Sequence, residues 1–209
     1  MKPLCLDLCC GLGGWASGFL LEGWRVLGVD RLDFSARYPG EFLQADLRSW
    51  EGWRGCGAQA VVAAPPALRV SSGSRGAGGF GGRLAVWERC ERIADKLRVP
   101  LVVQNCAGAA RCMGAPQLVR GGVHLWGRGL SWCVLGYGLG ASGRAVAGSQ
   151  RADLGIVPVG MARAVARVLG GGNNDSSEGG EAAPLGSFFP SLSISHNCII
   201  ETRKGLLPL

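Results

Sequence analysis

Short apolar runs alternate with helically spaced stretches along this chain, the order in which strands and crossover helices build a parallel sheet. The first run, Leu4-Cys5-Leu6-Asp7-Leu8, is apolar except for one carboxylate and breaks into Cys9-Cys10-Gly11-Leu12-Gly13-Gly14. A buried strand ending in glycines lets a ligand approach the backbone closely and lets a helix start at once. A tight strand-to-helix turn with no ligand reads the same way. The next helix follows from Trp15, Phe19 and Leu20 and stops at Gly23.

Further strands are predicted over 25–30, 42–45, 60–64 and 101–105, with a brief helix or turn over 47–53. Val86, Cys90, Ile93 and Leu97 share one face of a helix over 84–98, with Glu88, Glu91, Arg92 and Asp95 opposite and Pro100 beyond it. Residues 123–126 and 130–137 read as an antiparallel pair. A last helix over 160–169 follows Pro158, with Met161, Val165 and Leu169 inward and Arg163 and Arg167 together on another face. From Gly170 the Gly, Asn, Ser and Glu content predicts a disordered, low-complexity tail over 170–209, leaving one α/β domain over 1–169. At 209 residues the chain supports one domain with a real core.

Charge changes this picture little. The net charge is +7, and only Lys2, Lys96 and Lys204 are lysines among 22 basic residues. Arginine suits phosphate forks, but a GC-rich coding sequence enriches Arg, Gly and Ala together, and 36 glycines fit that account. Nine cysteines at irregular spacing, several inside apolar runs, point to a reducing, cytoplasmic setting. No Cys-x-x-Cys occurs and there are only two histidines, so no metal site is expected. The apolar N-terminus resembles a signal peptide superficially, but Asp7 and the ordered glycines argue against one. No later apolar run reaches the roughly 18 residues that span a membrane. A monomer is expected.

Candidate chemistry lies at the strand ends. Asp7, Asp30 and Asp46 fall in or after the first three strands, whose carboxyl ends would converge on one sheet edge. Asp30 follows the glycine turn at the interval where such folds grip ribose hydroxyls, although a solvated strand end reads alike. After the fourth strand comes Pro65-Pro66-Ala67-Leu68-Arg69-Val70-Ser71-Ser72 and a Gly/Ala-rich stretch to Arg83. That loop is either a mobile substrate-engaging segment or a plain connection, and Arg69, Arg75 and Arg83 favour an anion.

These motifs, in this order, resemble the DNA cytosine-5 methyltransferases, especially compact phage and bacterial ones. The resemblance covers about residues 4–169 and includes Gln104-Asn105, Gly122-Val123-His124-Leu125-Trp126-Gly127 and the closing Arg151-Ala152…Ile156-Val157-Pro158. It implies a Rossmann-like, S-adenosylmethionine-dependent methyltransferase fold, mostly parallel, with helices on both faces of the sheet. The cofactor would lie over Gly11, Gly13 and Gly14, beside Cys9, Cys10 and Pro65. Asp7 would sit near its amino-acid end, Asp30 on the ribose and Asp46 on the adenine amine. Cys9 stands where the family usually has an aromatic.

The chemical half of the resemblance departs from the family. Its Pro-Pro-Cys supplies a thiolate that attacks carbon 6 of a flipped-out cytosine; here the position is Ala67. The family's Glu-Asn-Val glutamate corresponds to Gln104, which can hydrogen-bond a base but cannot deliver a proton of matched pKa. Asn105 is retained, and Cys106 replaces the usual valine. Both changes strike the same step, so the resemblance implies an inactive or severely impaired enzyme that contacts DNA. Two alternatives stay open: a transferase using another thiol, Cys106 or Cys10, and a non-catalytic basic nucleic-acid-binding module. Fewer than thirty residues separate Trp126 from Gly155, where larger members insert a domain that reads base edges.

Overall fold

A computed structural model describes residues 1–68, 80–132, 135 and 157–171. Seven strands form one sheet: β1 (Leu4–Leu8), β2 (Arg25–Asp30), β3 (Glu41–Gln44), β4 (Ala60–Ala63), β5 (Leu101–Asn105), β6 (Leu118–Arg120) and β7 (Val123–Arg128). Their order is β3-β2-β1-β4-β5-β7-β6. The first five are parallel, and β7 runs antiparallel to both β5 and β6. This is a mixed α/β, Rossmann-like fold with a mostly parallel sheet.

The apolar runs settle which strands are central. All of β4 and β5 is buried, as strands covered on both faces require. Edge strand β3 is largely exposed. Helix α1 (Gly14–Leu21) and the last helix, α4 (Val159–Gly171), pack together on one face. There Phe19, Trp15, Met161 and Val165 meet the inner side chains of β1, β2 and β5. Helix α2 (Phe80–Leu97) covers the other face through Trp87, Cys90 and Ile93. A short α3 (Ala110–Met113) follows β5. The arginines expected together on α4 close this packing, since Arg163 and Arg167 donate to the two oxygens of Glu22 at the end of α1, at 2.6 and 2.9 Å.

Several expectations need correction. The antiparallel partner of 123–126 is 118–120, not 130–137, because Gly121 and Gly122 both take positive φ, 55° and 79°, and make the two-residue hairpin turn. Positions 133, 134, 136 and 137 lie outside the described residues. Helix α2 begins at Phe80, four residues early, running through Gly81 and Gly82. The last helix, expected over 160–169, runs over Val159–Gly171. Strand β3 sits one residue earlier than expected, whereas 47–53 makes turns, one of the two forms expected there. The loop arginines Arg69 and Arg75, and the tail from 172 onward, lie outside the described residues.

Candidate functional site

Strand β1 has β2 on one side and β4 on the other, so the chain's crossovers leave it in opposite directions. A crevice opens at the carboxyl ends of strands where a parallel sheet reverses in this way. Here it is a cavity of about 420 Å³, walled by the residues that follow β1 to β4 and by the first two turns of α2.

Asp30, the last residue of β2, faces the cavity. Its Oδ2 accepts the Gly11 N–H at 3.1 Å and its Oδ1 the Leu32 N–H at 3.0 Å. Each carboxylate oxygen accepts more than one hydrogen bond, so both keep capacity for a ligand. The three loop glycines differ in what they do. A side chain on Gly11 would meet nothing within 4 Å, and this residue lines the cavity. On Gly13 it would strike Pro39 at 2.5 Å, and on Gly14 the Val157 amide nitrogen at 2.9 Å. Those two glycines serve packing, and like Cys10 and Pro65 they are not among the cavity walls.

Asp46 lines the cavity on the β3 side. Arg48 grips it with Nε at 3.0 Å from each oxygen and Nη2 at 2.5 Å from Oδ2. Those hydrogen bonds hold the Asp46 carboxyl down at about 2. Leu32, Phe34, Leu47 and Val86 add apolar wall, and Arg31 and Arg83 add positive charge. Cys9 contributes wall from a left-handed backbone, φ 54°. Its thiol is pushed well up, first by a hydrogen bond with Cys90 and then by burial. Asp30, Asp46, apolar wall and open Gly11 together fit an adenosine, with acceptors for ribose hydroxyls and for an amine.

Asp7 stands apart from this group. It is fully buried in mid-strand and is not a wall of the cavity. Burial pushes its carboxyl well above the ordinary carboxylate range, against the opposing pull of the Tyr38 hydroxyl, which donates to Oδ2 at 2.9 Å. Gly28 is the β2 residue opposite Asp7, and a side chain on it would meet the Tyr38 ring at 2.3 Å. The tyrosine therefore lies across Gly28 and reaches the acid. Sequence reasoning passes over Tyr38; the available signal is a glycine inside a buried strand, which marks a close approach.

At the exits of β4 and β5 the polar atoms are already engaged. Asn105 donates to the Pro65 carbonyl at 3.0 Å and accepts the N–H groups of Leu68 at 2.9 Å and Cys106 at 3.0 Å. It laces the two exits together. Gln104 is 5 % exposed and donates to the Asn105 carbonyl at 3.4 Å. Ala67 is half-buried, its carbonyl accepting Arg83 at 3.0 Å, and Pro66 rather than Pro65 reaches the cavity. Neither spare thiol lines the cavity. Cys10 is buried and its thiol is pushed up by that burial.

Among the described residues no three His, Cys, Asp or Glu side chains are grouped to hold a metal ion, and no helix is long and apolar enough to cross a membrane. No protein-family model and no curated protein sequence matches the chain. Solved structures do. An E. coli prophage protein assigned as a DNA modification methyltransferase aligns at 17 % identity and TM-score 0.40 over 52 % of this chain and 33 % of its own. A Spodoptera frugiperda DNMT2 mutant aligns at 16 % and 0.40, over 51 % and 36 %. A Brucella ovis short-chain dehydrogenase/reductase in complex with a partially ordered NAD aligns at 19 % and 0.35, over 47 % and 57 %. The aligned part thus spans about a third of the first two proteins.

Proposed function

We propose that this chain binds S-adenosylmethionine in the cavity beside Asp30 and Asp46, and is a DNA cytosine-5 methyltransferase-like protein whose transfer step is disabled. The observation that carries the reading is the pairing of those two carboxylates across one apolar-walled cavity at the sheet's reversal point. Asp30 would take the ribose hydroxyls, its position already set by Gly11 and Leu32. Asp46 would accept from the adenine amine, sharing its oxygens with Arg48. Gly11 leaves the room that a close ligand needs. When bound, the cofactor supplies an activated methyl group.

The rest of the reaction lacks its agents. A cytosine ring becomes nucleophilic at carbon 5 only after a nucleophile adds at carbon 6 and the ring nitrogen is protonated. Ala67 has no nucleophile and Gln104 no acidic proton. Asn105, in the place of a retained family residue, spends its carbonyl oxygen on two backbone N–H groups and one amide donor on the Pro65 carbonyl, holding the two strand exits together. DNA is the partner this reading implies, approached by the basic body of the chain.

Calorimetry tests the first half: the chain binds S-adenosylmethionine, and Asp30→Ala weakens binding at least tenfold, about 1.4 kcal/mol. Absence of binding overturns the proposal. Tritiated methyl transfer to mixed-sequence DNA tests the second. The expected result is none, with detectable transfer restored by Ala67→Cys combined with Gln104→Glu. Transfer by the unmodified chain overturns the disabled reading.

A further inference from the structure

The turn that carries Asp46 has no helix or strand of its own to hold it. Residues 45–51 leave β3 and cross the sheet edge as turns. Within them the N–H groups of Ser49 and Trp50 donate to the Asp46 carbonyl at 3.1 and 2.9 Å. Short turns of this kind are held mainly by what grips them from outside.

Part of that grip is the Ala45 N–H on the Asp30 carbonyl at 2.8 Å and the packing of Leu47 into the core; the polar part comes from one side chain about forty residues away. Arg89, in the middle of α2, donates Nε to the Leu47 carbonyl at 2.9 Å and Nη2 to the Trp50 carbonyl at 2.8 Å and to Glu51 Oε1 at 2.6 Å. Its side chain is 11 % exposed, whereas Glu51 is 49 % exposed and also pairs with Arg54. The forked guanidinium matches two carbonyls and a carboxylate at once, which a point-charge ammonium does not. Arg89 is not itself a wall of the cavity, but both neighbours of its grip are: Leu47 on the turn, and Val86 one turn earlier on α2. One helix therefore lines the cavity directly through Val86 and also grips, through Arg89, the turn that lines it with Leu47.

We propose that Arg89 is the positioning residue for base selection in this cavity. It holds the 46–51 turn so that Asp46 presents its carboxylate to an exocyclic amine, making the site prefer an adenosyl over an inosyl ligand. The proposal rests on the adenosine-binding reading above and adds to it the residue that sets its selectivity. A loosened turn leaves Asp46 ionised but badly placed, so the amine-bearing base loses its advantage while the ribose grip of Asp30 stays.

The test compares S-adenosylhomocysteine with S-inosylhomocysteine by calorimetry, and amide hydrogen exchange in the absence of ligand. In Arg89→Met, exchange at residues 48–50 rises at least tenfold while the amides of β1 and β4 keep their protection. The affinity for S-adenosylhomocysteine falls about tenfold, the inosyl analogue is held as before, and the preference collapses towards one. A general loss of stability would weaken both ligands alike and leave their ratio standing. Arg89→Lys recovers part of the protection and part of the ratio. Unchanged exchange at 48–50 overturns the proposal, and so does an undiminished ratio with exchange raised. If the unmodified chain binds neither ligand, the proposed function fails, and the exchange result still decides whether Arg89 holds the turn.

Discussion

The ends of β2 and β3 and the ends of β4 and β5 lie on the same edge of one sheet, yet their polar atoms are spent differently. At β2 and β3, Asp30 and Asp46 face a cavity with lone pairs to spare, Asp30 held by the Gly11 and Leu32 N–H groups and Asp46 by Arg48. At β4 and β5, Asn105 commits its side chain to three backbone groups, Gln104 is buried against a carbonyl, and Ala67 offers only a methyl. The first pair of ends leaves acceptors open to a cavity, and the second spends its polar atoms on itself. The same amide can bind a ligand or close a loop, and at Asn105 it closes a loop.

The strongest way to break this contrast is at Asn105. Asn105→Ala leaves the Leu68 and Cys106 N–H groups and the Pro65 carbonyl without their partner, at about 1–3 kcal/mol for each buried group left unpaired. Urea denaturation is expected to show a loss of about 3 kcal/mol or more, with cofactor affinity unchanged at temperatures where the variant is folded. A loss below about 1 kcal/mol would mean that the two exits are not laced as described.

A smaller effect is expected beneath the cavity, at Asp7. Its folded-state pKa is raised by burial, so the acid is comfortable when neutral. Below the unfolded value of about 3.9 both states are protonated; as pH rises above it, the unfolded chain ionises first and stability is lost up to the folded pKa. Asp7→Asn keeps an acceptor for Tyr38 and removes that loss. Its melting temperature should exceed the parent's at pH 7, and the two should converge below about pH 4. Equal melting temperatures at both pH values would place Asp7 outside this account.

The smallest effect sharpens the comparison at Asp46. Its depressed pKa makes its contribution present above the unfolded value and lost as pH falls through about 2. Arg48→Ala should return the carboxyl towards about 3.9 in a carboxyl-detected NMR titration. Because the pair is exposed and screened by solvent, stability should hardly move. A carboxyl still near 2 in the variant would assign the depression to another group.

Most of the sheet is legible in the amino-acid sequence. Residues 25–30 and 101–105 are strands at the expected bounds, and α1, α2 and α4 lie where apolar spacing and terminating glycines or prolines put them. The hairpin is the exception: Val123 to Trp126 pairs backwards across Gly121-Gly122, a signal that the apolar residues after Leu130 outweigh in the sequence. The site is legible only in part. Asp30, Asp46, Cys9 and Gly11 meet at the cavity, whereas Asp7, Cys10, Gly13, Gly14 and Pro65 do not reach it.

What the sequence by itself determined is the alternation of strands and helices and the presence of acids at successive strand ends. These follow from periodicity and from glycine and proline, which act within a few residues. What only the tertiary structure decided is which acid is free to bind. Tyr38 seals Asp7 from 31 residues away, and Arg89 holds the Asp46 turn through Leu47 from 42 residues away. A carboxylate's availability depends on its burial and its partners, and both are set by side chains brought across the fold.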